Sequence, residues 1–182
     1  MIRRFFVFLV TIVMAGSIGA ASAQGVPEQP IGSNPVGEPV VIYNSLGEEA
    51  AQITVIEVID PFEDWAEYYD PQVGERYVVV SVQVENTGDR PFEFGTFDFS
   101  ILDSVGRLHN YGFFVRSDAS TVQLPDLEDA SMLPGETVTG ALNYTVPADA
   151  ELVQVIYLYY ADQQHLYLLA DLRSITAATA GT

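Results

Sequence analysis

The strongest alternation of apolar and polar residues in the chain lies at residues 76–88, which read RYVVVSVQVENTG. A period of two is typical of a half-buried β-strand, because successive side chains point to opposite faces. One face is apolar and consists of Val78, Val80, Val82 and Val84. The other is mostly polar, with Val79 as its apolar exception. Residues 86–91 (NTGDRP) predict a turn, since Gly and Asn tolerate positive φ and Pro ends ladder pairing.

Other segments carry a strand pattern and are separated by turn residues. They are residues 40–43, 51–60, 96–103, 107–114, 136–146, 152–160 and 165–172. Within the third of these, Phe97, Phe99 and Ile101 are predicted to point inward. Short alternating strands without crossover helices favour an all-β class, an antiparallel β-sandwich. Residues 116–134 are polar and acidic and predict a long loop.

Residues 51–60 (AQITVIEVID) change parity partway along the predicted strand. Ile53 and Val55 share one face, whereas Ile56 and Val58 fall on the opposite face. This shift predicts either a strand that is covered on both faces or a β-bulge.

The segment at residues 61–74 (PFEDWAEYYDPQVG) differs from the strands because it mixes aromatic and acidic residues. Phe62, Trp65 and Tyr69 are spaced i, i+3 and i+7, which predicts a short helix with these three on one face. We refer to residues 62–70 as the insertion.

The amino-terminal residues predict export of the protein. Arg3 and Arg4 precede an apolar run at residues 5–14, and small residues lead to an Ala-Ser-Ala site at 21–23, so residues 1–23 are predicted to be a cleaved signal peptide. The apolar run is shorter than the ~20 residues that cross a bilayer, so we expect no membrane insertion after cleavage. Residues 24–38 predict a flexible linker, 39–173 the folded domain and 174–182 a disordered tail.

Composition narrows the possible partners. The chain has 25 acidic and 7 basic residues, and removal of Arg3 and Arg4 with the leader takes the formal charge from −18 to −20. Such a surface repels phosphates and anionic lipid headgroups, which argues against nucleic-acid and membrane-surface functions. It attracts cations or basic partners, although acidity also serves solubility alone. The chain has no Cys, which excludes disulfides and a lipid-acceptor cysteine.

Strand and turn signatures give the sequence a resemblance to a known group. They are residues 74–82 (GERYVVVSV), 85–89 (ENTGD), 99–106 (FSILDSVG), 133–136 (LPGE) and 146–150 (VPADA). Together they resemble the telokin-like, immunoglobulin-like domain of unknown function found in bacterial secreted proteins and lipoproteins, which is similar in fold to the immunoprotective extracellular proteins. The resemblance implies an immunoglobulin-like sandwich and no established catalytic residues. This chain departs from that pattern in the insertion and in lacking the lipid-acceptor cysteine.

Catalytic motifs are weak in this sequence. A serine nucleophile needs a nearby base, and the two histidines, His109 and His165, both fall in predicted strands without a nucleophile elbow near either. Without Cys or an H-E-x-x-H motif, a zinc or copper site is not expected. We therefore predict that the protein is not an enzyme, with a hydrolase as the least favoured alternative.

Calcium is the one cofactor whose ligand type is clustered in the sequence, because Ca²⁺ takes several oxygen ligands. The candidate calcium ligands are Asp60, Glu63, Asp64, Glu67 and Asp70. A second acidic group consists of Asp126, Glu128 and Asp129. Neither matches an EF-hand spacing, and a solvated acidic surface is the alternative reading.

The insertion also supplies the candidate ligand-binding residues Trp65, Tyr68 and Tyr69, since rigid aromatic faces give contact area at low entropic cost. The alternative is that the tyrosines cap the cores of the sheets and that Trp65 holds its loop in place. The leading hypothesis is a secreted binding module for an extracellular protein or glycan. The alternative is a passive structural or calcium-stabilised protein of the cell envelope.

Overall fold

The computed structural model describes residues 34–159 and 165–173. These residues form ten strands: β1 (Pro39–Tyr43), β2 (Glu49–Phe62), β3 (Glu75–Glu85), β4 (Phe92–Phe94), β5 (Phe99–Asp103), β6 (Leu108–Asn110), β7 (Ala130–Met132), β8 (Thr137–Pro147), β9 (Leu152–Tyr159) and β10 (His165–Asp171). A 3₁₀ helix, Thr96–Asp98, precedes β5. The predicted signal peptide, most of the predicted linker, the turn at 161–164 and the predicted tail lie outside the described residues.

Two four-stranded antiparallel sheets form the domain. The first sheet has the order β1-β2-β3-β8 and the second the order β10-β9-β5-β6, while β4 and β7 form a separate pair. All of these strand pairs are antiparallel. The predicted all-β, antiparallel, immunoglobulin-like β-sandwich is therefore confirmed.

The space between the two sheets is filled by what we call the main core. The four predicted valines of β3 all lie in it and are fully buried, which confirms the face assigned from the alternation. Phe99 and Ile101 of β5 enter the same core from the second sheet. Burying an aliphatic or aromatic side chain of this size contributes about 1.5–3 kcal/mol, so this layer dominates the stability of the domain.

The parity change in β2 marks a bulge. The register with β3 shifts between Val55 and Glu57, and Ile56 is partly exposed there. Because one extra residue is accommodated, Val58 returns to the main core, while Ile59 points to the opposite side. The sequence predicts either a β-bulge or a strand covered on both faces, and β2 has both features, since its end is also packed on both faces.

The outer face of the first sheet carries a second buried cluster, which we call the loop core. Tyr77 and Val79 of β3 form its base, and residues from the insertion and from the loop at 111–127 cover them. Its buried members are Phe62, Tyr77, Val79, Phe114, Val122 and Ala141, with Ile59, Trp65, Tyr69 and Leu124 packed around them. β3 is thus buried on both faces over most of its length.

The loop at 111–127 also protects the free edge of β8. The Leu127 N–H donates to Ala141 O at 2.8 Å, and the Ala141 N–H donates to Pro125 O at 2.8 Å. Gly140 allows this close approach, because a Cβ added there would lie 2.7 Å from the Leu127 Cα. A covered edge cannot pair with another chain.

Several local predictions were wrong. The segment 116–134, predicted to be a long loop, contains the strand β7. No helix forms in the insertion, because β2 continues through Pro61 to Phe62 and Trp65 instead forms an isolated bridge with Arg116. Phe97 is 71% exposed, since it sits in the 3₁₀ helix rather than in a strand. The strand predicted at 107–114 is limited to β6.

The end of the predicted linker is held against the sandwich. The Asn34 side-chain amide donates to Leu168 O at 2.7 Å, and the Asp171 N–H donates to Asn34 O at 2.7 Å. The Gly37 N–H donates to Val55 O at 2.8 Å. Residues 34–38 therefore follow β10 and β2 instead of standing free of the domain.

Candidate functional site

Trp65 is mainly a packing residue. Its ring is half-buried and meets the ring of Tyr77 edge-on, with the centroids 5.6 Å apart. Its indole N–H donates to Asp70 Oδ1 at 2.9 Å. The neighbouring Ala66 N–H donates to Val115 O at 2.8 Å, which fastens the insertion to the loop at 111–127. These contacts agree with the alternative interpretation of the sequence, that Trp65 holds its loop in place.

Tyr69 shares that packing role but reaches the surface. It is half-buried and contacts Phe113 edge-on at a centroid distance of 6.2 Å. Phe113 itself is 70% exposed, although its neighbour Phe114 is buried. The exposure of Phe113 does not follow from the sequence, because the pattern of residues 107–114 predicts a strand.

Tyr68 is the aromatic residue of the insertion that is most open to solvent. Its side chain is 88% exposed, and its φ of 76° places it in the left-handed region. For a bulky residue that backbone conformation costs about 1–2 kcal/mol. A strained, exposed aromatic residue is a reason to look for function, because strain persists where the surrounding structure imposes it.

Three of the five predicted calcium ligands, Asp60, Asp64 and Asp70, are hydrogen-bonded to different partners. Asp60 forms a two-point ion pair with Arg76, with Arg76 Nη2 2.8 Å from Asp60 Oδ2. The side-chain hydrogen bond with Asp60 raises the pKa of Arg76 above its usual value. Glu63 and Glu67 are exposed.

Asp64 joins the insertion to the loop at 111–127. Its Oδ2 accepts hydrogen bonds from the Thr121 N–H at 2.9 Å and from the Thr121 hydroxyl at 2.8 Å. These bonds, the backbone one first, hold the pKa of Asp64 below its usual value. Asp70 accepts the indole hydrogen bond of Trp65. Among residues 34–159 and 165–173, no three acidic or histidine side chains are grouped so that they could hold a metal ion.

The two histidines have structural surroundings. His109 Nε2 lies 3.1 Å from Asp103 Oδ2 inside the β5–β6 hairpin, and the Arg107 N–H donates to the other oxygen of Asp103 at 2.8 Å. Burial alone would raise the pKa of Asp103, but the hydrogen bonds from Arg107 and His109 lower it below its usual value. The Nε2 atom of His165 is buried and has no hydrogen-bond partner among the described residues.

An open groove of about 700 Å³ lies where β4, β7, the 3₁₀ helix and the end of β9 meet. Its lining residues include the acidic residues Glu93, Asp98 and Asp129 and the aromatic residues Phe94 and Tyr159. In the sequence, Asp129 stands out only as part of an acidic loop, and nothing distinguishes Glu93 or Asp98. Their proximity depends on the β4–β7 pairing, for which these short segments carry no pattern.

Comparison with known proteins gives a family and a fold. A family model described as a domain of unknown function (DUF4352) matches residues 44–165. No curated protein matches the chain. Within the described residues, no helix has the length and apolar character needed to cross a bilayer.

Two solved structures share the fold. The secreted protein MPT63 of Mycobacterium tuberculosis is 11% identical, with a TM-score of 0.53 over 78% of this chain and 99% of its own. The lipoprotein candidate ycdA of Bacillus subtilis is 19% identical, with a TM-score of 0.50 over 72% of this chain. The match spans only 39% of ycdA. At these identities the likeness concerns the fold alone.

Proposed function

Since the chain belongs to the DUF4352 family of domains of unknown function, we propose that it is an exported, non-catalytic, immunoglobulin-like module. We propose further that it binds a basic protein through the tip of its insertion. The observation that carries the proposal is the exposure of two aromatic rings, Tyr68 and Phe113, the second of which contacts Tyr69, the chain neighbour of Tyr68. Export is supported by the predicted leader and by the fold shared with a secreted protein.

The proposed contact surface consists of Tyr68, Tyr69, Val73 and Phe113. Tyr68, Val73 and Phe113 are well exposed, and Tyr69 joins them to the loop core. Exposed aromatic side chains on a rigid support are typical of binding surfaces, since they bury area while losing little entropy. The loop core supplies that support, because Trp65 and Phe114 fix the two segments that carry the rings.

Charge supports a basic partner. Glu63, Glu67 and Asp70 are exposed in or beside this surface. The one arginine of the loop at 111–127, Arg116, is already paired with Asp126 at 2.7 Å. The surface therefore combines apolar rings with unbalanced negative charge, which suits a positively charged protein surface and speeds its association.

The test replaces the rings without disturbing the loop core. In the double variant Tyr68→Asn and Phe113→Ser, Asn accepts the positive φ at 68, and neither change removes a buried group. Val105→Ser, a 71% exposed residue in the β5–β6 turn, is the matched control. Alanine at Trp65 or Tyr69 is unsuitable, because both residues pack in the loop core.

Each purified protein is used to capture partners from culture supernatant and envelope fractions, and the affinity of a captured partner is then measured. We expect a basic protein that binds the wild type and the control but binds the double variant at least tenfold more weakly. Equal affinity for all three proteins would contradict the proposed surface. A captured partner that is a glycan or an acidic protein would contradict the proposed partner class.

A further inference from the structure

We infer that residues 174–182 lie across the outer face of the second sheet, where they cover apolar side chains of β5, β9 and β10. This face is on the far side of the sandwich from the insertion, which packs on the outer face of the first sheet. The docking is therefore independent of the contact surface around Tyr68. It would give each sheet of the sandwich a covering segment of its own.

The register of the second sheet defines this outer face. Val155 and Tyr157 of β9 lie in the main core, so Gln154 and Ile156, which alternate with them, point to the opposite side. Cross-strand partners share a face, which extends it over all four strands. Its two complete rows are Leu108, Leu102, Gln154, Asp171 and Asn110, Ser100, Ile156, Leu168, with Leu158 and Leu166 beside the second row. Most of these residues are leucine or isoleucine, whereas an uncovered face of an antiparallel sheet is usually polar.

The centre of this face is buried, but its corners are open. Ile156 is 4% exposed and Gln154 is 1% exposed. Among residues 34–159 and 165–173, Ile156 belongs to neither the main core nor the loop core. Leu108 and Leu166, at opposite corners, are more than half exposed. A segment that crosses the middle of the face and leaves the corners open explains this difference.

Gln154 gives independent evidence that the cover is a polypeptide. Both polar atoms of its side-chain amide are buried and have no hydrogen-bond partner among the described residues. A buried amide without partners is rare, because its desolvation costs free energy that no hydrogen bond returns. A peptide backbone that crosses the face supplies both the C=O and the N–H that this amide lacks. An apolar ligand would supply neither.

The chain leaves β10 toward this face. The Leu172 N–H donates to Val153 O at 3.0 Å, which keeps the end of β10 beside Gln154. Asp171 lies in the same row as Gln154, and its Oδ1 accepts from the Arg173 N–H at 3.1 Å. Because the Asp171 carboxylate is on the outer face, this hydrogen bond turns residue 173 out of the plane of the sheet and onto that side.

The segment that follows Arg173 is long enough to cross the sheet. Three strand spacings of about 4.8 Å separate β10 from β6, which gives a width of about 14 Å. The nine residues 174–182 (SITAATAGT) reach about 14 Å in a helix and about 30 Å in an extended chain. Their composition predicts disorder in isolation, but burial of Ile175 and the alanines against the leucines would stabilise them on this face.

Charge and chain direction favour this segment over other occupants. It has no charged side chain, whereas a second copy of the protein would bring a formal charge of −18 against another −18. The residues before Asn34 start on the wrong side of β10. Asn34 O accepts from the Asp171 N–H, on the edge of β10 that faces away from β9.

The test compares three changes in the protein that begins at Gln24, the predicted mature form. They are a stop after Arg173, Ile175→Asp, and Thr182→Asp as a control that adds the same charge at the far end of the same segment. NMR measures how fast the side-chain amide of Gln154 exchanges with water, with Gln52 of the first sheet as the internal reference. Circular dichroism checks folding, and light scattering gives the mass in solution.

We expect exchange at Gln154 to be about tenfold faster without the segment and in Ile175→Asp, and unchanged in Thr182→Asp and at Gln52. The melting temperature should fall by about 3–6 °C in the first two proteins only. Equal exchange in all the proteins would contradict the docking, and a dimeric mass would then identify a second copy as the cover. An effect of Thr182→Asp as large as that of Ile175→Asp would also contradict it, because added charge alone would then explain the change.

Discussion

The two faces of β3 are buried by different kinds of structure. Toward the second sheet, β3 presents valines to strands with the same alternation, and the main core is a layer between two regular surfaces. On its other face, Tyr77 and Val79 are covered by aromatic residues from irregular segments far apart in the sequence. One strand therefore belongs to a core made by sheets and to a core made by loops.

The difference shows how irregular segments can be fixed on the outer face of a sandwich. The main core follows from a period of two along the strands. The loop core fixes the insertion through Trp65, Asp64 and the Ala66 hydrogen bond, so that exposed residues such as Tyr68 are held in place. A rigid support under an exposed ring lowers the entropic cost of binding.

The largest expected effect compares one phenylalanine from each core. Phe99 and Phe114 are both almost completely buried, and each is replaced by Ala. We expect each change to reduce the free energy of unfolding by about 3–5 kcal/mol, as measured by urea denaturation, because transfer and cavity costs apply in both places. A loss below about 1 kcal/mol for Phe114→Ala would show that the loop core is a surface cluster.

The next effect concerns the place where the loop at 111–127 passes over β8. Gly140→Ala puts a methyl group against the Leu127 backbone, so the loop must move away. We expect a loss of about 1–3 kcal/mol in the free energy of unfolding. The same substitution at Gly88 meets the backbone of residues 49 and 50 and serves as a positive control. An unchanged stability for Gly140→Ala would contradict the close packing of this loop.

Much of the main core could be predicted, whereas the loop core could not. The valines of β3 and the bulge of β2 follow from local alternation, which the backbone itself imposes. Phe62, Trp65 and Tyr69 do share one cluster, but their spacing was read as a helix, because nothing local reveals that Arg116 pairs with Trp65. The groove beside β4 and β7 could not be predicted either, because its acidic residues come together only through tertiary pairing.

A smaller effect should appear in the pH dependence of the link between the insertion and its neighbouring loop. Hydrogen bonds lower the pKa of Asp64 in the folded state. Ionised Asp64 therefore contributes to the free energy of unfolding above its unfolded pKa of about 3.9, and this contribution is lost as the pH falls through the lower folded pKa. The stability difference between wild type and Asp64→Asn should therefore be largest at neutral pH and vanish in acid. A difference that stays constant across urea unfolding curves at these pH values would contradict this assignment.

The smallest expected effect is that of calcium. The calcium hypothesis for Asp60, Glu63, Asp64, Glu67 and Asp70 requires these carboxylates to converge, and three of them are committed to Arg76, Thr121 and Trp65. We expect no change in melting temperature on adding millimolar calcium or a chelator. If calcium raised the melting temperature and a chelator reversed that increase, the calcium hypothesis would be restored, and the insertion would have to rearrange to bind the ion.

Trp65 is the single tryptophan of the sequence, and it lies in the loop core. Its fluorescence therefore reports on that core alone, while far-UV circular dichroism reports on the sheets. The most direct test of the account is to follow urea unfolding by both signals in one sample. If the loop core is part of the fold, the two transitions coincide in midpoint and slope. A tryptophan transition that is complete at lower urea, while the sheets remain folded, would contradict the claim that the insertion is held rigidly on β3.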